Sequence, residues 1–434
     1  MQQESPKNGN DYLFGKGQAI FILVIIAILN MINMMDRSVF AVAQEPMKIA
    51  LGLTDTEVGW FQTVFWLGLA AMTLPVAFVC DRWSRRKMLG ILAITWSGFT
   101  FLTGLGKNFI TVFLPRMFVG VGESGFTSGG QALIVRAWPE RLRGTVLASF
   151  LVISQLGTPL GMALGGMLIV KFNSWSSPFF FFAIPGVLFG IVAFFLRDYE
   201  NVPPPIQADG VTKESFFTSV WTLFKTPTLL SVYLGYLAYN IVAQALLSWV
   251  PAFLIRSQGI KADQAGLLVG IIGLIGLAGA ILGGIISDRW HKRNPKARML
   301  VCAISTTIGT IAVVGALLLD MQGIGFALAC VWAFAWLMLQ APNAAVTQDC
   351  SSMDKRGQAW GVNNFLGFIT AWSPLGVGAL SDFLGAGAGG LKIALLFACA
   401  FGVATAAAYF IGAGHYEADV AKAKEIDRLK GLGT

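Results

Sequence analysis

Charge is what this sequence has least of: of 434 residues, only 12% are Asp, Glu, Lys or Arg, and only two are His. A soluble domain is about 25% charged and about 45–50% apolar. A chain that is 55% hydrophobic, with a mean hydropathy of +0.67, is therefore not a soluble body carrying one buried span. The five cysteines (Cys80, Cys302, Cys330, Cys350, Cys399) show no paired spacing and are odd in number. That pattern excludes a disulfide framework and suits small apolar packing residues. His291 and His415 both fall in polar segments, so no metal cluster is expected. No phosphate loop is present; glycine-rich runs such as 270–284 lie in apolar helices, where small residues permit close packing. ATP-driven work and a bound cofactor are accordingly not expected. Nor does a nucleophile, base and orienting group recur together, which argues against an enzyme.

What is present is a series of long apolar runs. A span needs roughly 20 mostly apolar residues, and the runs place spans near 18–40, 56–79, 88–106, 109–135, 144–170 and 177–196. A second set falls near 228–254, 263–287, 299–319, 324–346, 358–381 and 391–412. The first run has no small-residue cleavage site behind it and reads as a retained span, not a signal peptide. The long polar stretch from Arg197 to Lys225, with Pro203-Pro204-Pro205, separates six spans from six. The expected organisation is an N-terminal bundle (1–196), a linker (197–225) and a C-terminal bundle with a short charged tail (226–434).

The net charge of +8 would suit nucleic acid if the basic residues formed a stripe on a polar surface. They sit instead in short clusters between apolar runs. With a cytoplasmic N-terminus, 23 of the 31 Lys and Arg fall in the termini and even-numbered connections. The other connections hold only Lys48, Lys107, Lys171, Arg256, Lys261 and Lys392. Such a bias places both termini in the cytoplasm and makes the partner a bilayer of the inner membrane.

The sequence also repeats. Asp81-Arg82-Trp83-Ser84-Arg85-Arg86-Lys87 follows span two, and Asp288-Arg289-Trp290-His291-Lys292-Arg293 follows span eight. Arg143-Gly144 precedes Pro159-Leu160-Gly161 as Arg356-Gly357 precedes Pro374-Leu375-Gly376. Two parallel halves of six helices are the layout of major facilitator transporters, with the substrate site near the midplane.

The motifs resemble that superfamily over essentially the whole chain. Its loop motif, Gly-x-x-x-Asp-Arg-x-Gly-x-Arg-Lys, is matched by Ala77, Asp81, Arg82, Ser84, Arg86 and Lys87, small residues replacing both glycines. The second copy keeps Gly284, Asp288, Arg289 and Arg293, and Arg116-x-x-x-Gly120-x-Gly122 is similar to the fourth-span motif. An Asp at a cytoplasmic helix end can face the positive N-terminus of a neighbouring helix. Asp81, Arg82, Arg86, Asp288, Arg289 and Arg293 are accordingly read as gating groups. Within the superfamily the chain looks most like the anion:cation symporters, through Asn33-Met34-Met35-Asp36-Arg37, Arg116, Glu123 and Glu140-Arg141-x-Arg143-Gly144. Asp36-Arg37 and Gly120-Val121-Gly122-Glu123 are shared with Spinster-type lipid carriers, so both branches stay open.

Four ionisable residues lie deep in the apolar runs: Asp36, Arg37, Arg116 and Glu123. Each costs at least ~2.5–3.5 kcal/mol at the centre of an isolated helix and needs a partner or a wet cavity. Arg116 and Glu123 return to within about 20° of one helix face, roughly 10 Å apart, whereas Asp36 and Arg37 point about 100° apart. One reading makes the four a neutral packing cluster, since buried ion pairs often do no more than that. The other assigns proton coupling to Asp36 and Glu123 and anion binding to Arg37 and Arg116. An anion that takes over the Arg leaves the carboxylate unpartnered, and the linked proton uptake is what a symporter requires. Asn240, Gln244, Gln340, Asn343, Asn363, Asn364 and Gln155 would complete the substrate site. The resemblance favours Gln155 and Asn364 in particular. Any one of them could instead be interhelical glue worth about 0.6 kcal/mol. The tryptophans, such as Trp60 and Trp249, suit packing or the interfacial belts.

The expectation is thus an all-α membrane protein of twelve transmembrane helices. It would be a monomeric secondary transporter that moves a small organic anion with protons or sodium ions. Export of a lipid or amphiphile is the alternative. A membrane sensor with a transporter fold is a more remote one, since the tail after Tyr416 is short.

Overall fold

The computed structural model describes residues 12–198 and 216–430; the side chains of Asp81 and of residues 216–219 lie outside the described set. The described residues form helices and connections, with no strand among them. In chain order the first eight are α1 (Lys16–Leu51), α2 (Asp55–Arg82), α3 (Arg85–Gly104), α4 (Phe109–Glu123), α5 (Phe126–Ala137), α6 (Glu140–Gln155), α7 (Gly157–Phe172) and α8 (Ser177–Ala193). Then follow α9 (Phe216–Phe224), α10 (Pro227–Gln258), α11 (Ala262–His291), α12 (Ala297–Leu318), α13 (Ile324–Leu337) and α14 (Gln340–Asp349). The last are α15 (Arg356–Ile369), a 3₁₀ turn (Thr370–Trp372), α16 (Ser373–Phe383) and α17 (Ala388–Leu429).

Nine helical stretches among the described residues are long and apolar enough to cross a membrane, α4–α5, α6–α7 and α13–α14 each counting as one. Helix α8 is apolar but shorter, and α3 and α15–α16 cover the other two predicted ranges. The exterior carries large apolar side chains such as Leu74, Ile184, Ile281, Ile311 and Phe397, each more than half exposed. That is the surface expected of a protein whose solvent is lipid.

By contacts the chain divides into two compact units. Residues 1–205 with 259–270 form the first, and residues 206–258 with 271–434 the second. In the first unit, Gly157, Gly161 and Gly165 recur every four residues on α7 and so share one face. A Cβ on Gly157 would meet the Met31 carbonyl, and one on Gly161 the Met35 backbone and Ser38 of α1. Bare backbone therefore lies against backbone beside Asp36 and Arg37. Gly120 stands in the same relation to Phe65 of α2, and Gly122 to Trp96 of α3. Without a hydrophobic drive inside the bilayer, this close approach is how helices gain contact. In the second unit, Gly279 and Gly283 of α11 lie against the Phe334 and Met338 backbone of α13 in the same manner.

Each unit contains helices broken near their middles. In the first, α4 ends at Glu123 and α5 begins after Gly125, whose φ of +70° only glycine adopts without strain. In the second, α13 passes to α14 at Met338 and Leu339, and α15 tightens into the 3₁₀ turn before α16. Breaks of this kind free backbone polar groups, which a bilayer tolerates only inside protein or along a cavity.

Three features differ from the sequence reading. Helix α1 continues to Leu51, past the predicted end at 40, because Gln44 and Glu45 are buried in the protein. Polar residues ended the apolar run there without ending the helix. The C-terminal tail is also no loose appendage: α17 runs on to Leu429 and docks. Asp419 accepts a bond from the Thr228 backbone at 2.9 Å and so caps the start of α10, and Asp427 accepts one from Met353 N at 2.8 Å. Helix α9 likewise forms within the range assigned to linker.

Candidate functional site

Helices α1 and α4 of the first unit bring the four intramembrane charges together, with α2 and α3 supplying their walls. The pairing is crossed. Arg37 donates its Nε–H to Glu123 Oε2 at 2.5 Å, a short charge-assisted bond. Arg116 reaches toward Asp36, but its Nη1 stops 3.9 Å from Oδ2, beyond hydrogen-bond distance. The adjacent Asp36 and Arg37, pointing apart on α1, thus engage two residues that lie two turns apart on α4. The length of the Arg37 side chain closes the axial gap.

Arg116 is fully buried, and its Nε, Nη1 and Nη2 have no hydrogen-bond partner. Its guanidinium is instead placed over the rings of Phe40 (4.4 Å) and Phe65 (4.8 Å). The negative ring faces offset part of the desolvation cost of the cation but accept no N–H in a directed bond. Asp36 receives the Thr100 hydroxyl at 2.8 Å on Oδ2, while its Oδ1 and the Oε1 of Glu123 are unpartnered. Arg37 is partly exposed and lies 5.6 Å from the centre of the Trp66 ring. Sequence reasoning did not single out Thr100, Phe40 or Phe65. A threonine or phenylalanine within an apolar helix carries no signal until a neighbour is known.

Gln155, at the end of α6, is exposed. In the second unit, Asn343 and Asn363 are fully buried; Asn343 accepts the Tyr409 hydroxyl at 2.6 Å, and its Nδ2 and both amide atoms of Asn363 are unpartnered. Gln340 donates to the Tyr239 hydroxyl at 3.2 Å, whereas Asn240 donates to the Tyr236 carbonyl of its own helix at 2.7 Å. Gln244 is half-buried and Asn364 exposed. Around Gln340 the rings of Tyr236, Tyr239 and Trp336 stack nearly parallel, with centres 5.6 and 4.7 Å apart. The tyrosines were not anticipated; their spacing on α10 only acquires meaning once α13 presents Trp336. Trp249 is buried and donates to the Pro374 carbonyl, a packing role.

The residues expected to gate fall into two arrangements. In the first unit, Arg82 stacks 3.7 Å from the Phe78 ring centre, and Arg86 donates to the Leu196 carbonyl at 3.0 Å. Ser84, standing where the family motif has glycine, caps α3 and donates to Asp198 at 2.6 Å. Asp81 itself lies among the side chains not described. In the second unit, Asp288 pairs with Arg298 of α12 at 3.0 Å, and Arg298 also pairs with Asp349 at 2.5 Å. The Tyr416 hydroxyl donates to the same Asp349 oxygen at 2.6 Å. Arg289 and Arg293 are exposed. Arg298, Asp349 and Tyr416 are additions to the sequence reading, which had no means of telling them from ordinary surface charge.

Helices α11, α12 and α13 also border an apolar cavity of about 490 Å³, lined by residues such as Ile275, Ile304, Val331 and Phe334.

A helical membrane body of this kind, with buried charge on broken helices, defines a transporter. The family model described as Major Facilitator Superfamily matches residues 26–374, and the chain belongs to that superfamily. It is a multi-pass inner-membrane transporter and not an enzyme. The chain is 27% identical over 406 residues to an MFS-type efflux pump of Mycolicibacterium smegmatis, covering 91% of this chain and 93% of the relative. It is 24% identical over 450 residues to a probable galactarate/D-glucarate transporter of Bacillus subtilis, covering 94% of each. Among solved structures, a bacterial homolog of the human lysosomal transporter Spinster superposes with a TM-score of 0.81 at 20% identity. That superposition covers 93% of this chain and 99% of the other. At that identity the likeness concerns the fold alone.

Proposed function

We propose that the protein couples proton movement to symport of a small organic anion, a sugar acid or another carboxylate. The chain crosses the membrane twelve times with both termini in the cytoplasm, and works by the alternating access of its family. Asp36 and Glu123 are the proton-carrying groups; Arg37 and Arg116 bind the anion. Asn343, Asn363 and Gln340 are the amides proposed to meet substrate oxygens, and Asn240, Gln244, Asn364 and Gln155 are further candidates for the same role.

The observation that carries this reading is Arg116. A buried guanidinium with every N–H unspent is a poor structural element, because a buried pair stabilises only with excellent geometry and satisfied hydrogen bonds. The same group is well suited to a carboxylate, whose two oxygens match its fork. Glu123 holds Arg37 through a single oxygen, so an anion arriving at Arg37 competes with a carboxylate that can accept a proton in exchange. The similarity to a galactarate/D-glucarate transporter supports the same substrate class.

Uptake into proteoliposomes of a panel of radiolabelled sugar acids and simple carboxylates, with and without an inward proton gradient, tests the proposal. Gradient-driven accumulation of at least one is expected; facilitated equilibration unaffected by the gradient would sink it. Export of an amphiphile is a second reading, supported by the apolar cavity along α11–α13 and the full-length similarity to an efflux pump. Accumulation of lipophilic dyes, and not of carboxylates, in inverted vesicles would favour it.

A further inference from the structure

The docked tail of α17 closes one side of a second cavity, of about 310 Å³, bordered by Lys225, Lys355, Lys422 and Lys430. Its other walls are the turn between α9 and α10 and the turn between α14 and α15. Lys422 and Ile426 of α17 and Lys430 just past its end follow one another at four-residue intervals, which sets both lysines along one side of the tail. Lys225 comes from the α9–α10 turn. Lys355, just before α15, is half-buried and donates to the Thr222 hydroxyl at 2.9 Å.

Among the described residues one carboxylate, Asp419, also borders the cavity, and it is engaged with the Thr228 backbone. Asp354 lies outside the lining and pairs with Lys430 at 2.7 Å. The charge of Lys430 is thus already met by Asp354, and Lys225 and Lys422 are the exposed lysines that an anion beside Lys355 would bring together.

The depth of the cavity along the helices says which anion. On α17 the exposed apolar Phe410 and Ile411 lie only eight or nine residues before Asp419, roughly 12–14 Å along the axis. On α10 the exposed Leu230 and Leu234 begin a turn or two beyond Lys225. Trp221 of α9 is 63% exposed beside the cavity wall, as side chains that anchor at the headgroup level are. The cavity thus sits where the apolar belt gives way to charge, which is the level of lipid phosphates. Its volume lies at the lower end of the range for small-ligand sites, about 300–1,000 Å³.

We propose that this four-lysine cavity is a binding site for the phosphate headgroup of an anionic phospholipid. Lysines of the α9–α10 turn, the α14–α15 turn and the α17 tail then converge on one phosphate, so that the lipid fastens three segments of the second unit. The headgroup site is independent of the transport assignment. The choice of the cytoplasmic leaflet alone rests on the orientation proposed above.

The test uses the full chain in detergent, with bound lipid counted by native mass spectrometry after addition of phosphatidylglycerol or phosphatidylcholine. Wild type should retain phosphatidylglycerol in preference to phosphatidylcholine. Lys225→Gln combined with Lys422→Gln should weaken that retention roughly 30-fold, about fivefold for each lysine. Lys424→Gln, an equal charge loss on α17 beside a different cavity, should leave it within about twofold. Unchanged preference in the double variant overturns the proposal, as does equal retention of phosphatidylcholine. Inorganic phosphate that displaces the lipid at equal concentration makes the site one for free phosphate and overturns the lipid assignment. The thermal midpoint of each variant without lipid, measured alongside, separates lost binding from lost folding.

Discussion

Arg116 and Asp36 lie 3.9 Å apart in a fully buried setting, near enough to attract but too far to share a hydrogen bond. Seven residues along α4, Glu123 holds Arg37 tightly. The same four charges therefore make one closed pair and one open pair. Substitutions that would be equivalent in a symmetric packing cluster are not equivalent here.

Replacement of Arg116 by Lys should weaken anion binding by about 10- to 150-fold, since the loss of charge-assisted bonds amounts to about 1.5–3 kcal/mol. A lysine keeps the charge and loses the planar fork. Ligand-induced thermal shift measures it; an undiminished shift would return Arg116 to a packing role.

Glu123→Gln and Asp36→Asn mimic the protonated carboxyls. Both should abolish proton-driven accumulation, and at least one should retain counterflow exchange, because exchange needs binding without net proton movement. If both variants still concentrate substrate under a proton gradient, the coupling groups lie elsewhere.

A methyl group at Gly120 would enter the space held by the Phe65 backbone. Gly120→Ala should therefore push α4 from α2 and lower stability by roughly 1–3 kcal/mol, the usual cost of overpacking. A thermal melt in detergent shows it as a reduced midpoint. An unchanged midpoint would mean that the two helices separate freely.

Asp288→Asn leaves Arg298 with Asp349 alone. If the network governs exchange between states, transport velocity should fall several-fold while equilibrium substrate affinity changes little. Equal losses in both would assign the network to folding.

Orientation is open to direct labelling. Asn173 and Pro295 are exposed, and with Cys330→Ser removing the half-buried native thiol, Pro295→Cys should react only from the cytoplasm and Asn173→Cys only from outside. Labelling of Pro295→Cys from the periplasm would reverse the assignment.

By itself, the sequence determined the class of protein, because apolar runs of bilayer length admit few solutions other than spanning helices. It also singled out Asp36, Arg37, Arg116 and Glu123, since an ionisable residue in such a run is costly wherever its helix packs. Which charge pairs with which was beyond it. Two turns of α4 separate Arg116 from Glu123, and only the approach of α1 along the bare face of α7 sets the reach of each partner. Thr100, Phe40 and Phe65 became part of the site only through that packing. The tail shows the same division. Its charge pattern marked it as polar, but the bonds that Asp419 accepts from the Thr228 backbone and Asp427 from the Met353 backbone join residues far apart in the chain. Helix formation is written in local periodicity; the pairing of charges depends on distances between helices, which no local pattern contains.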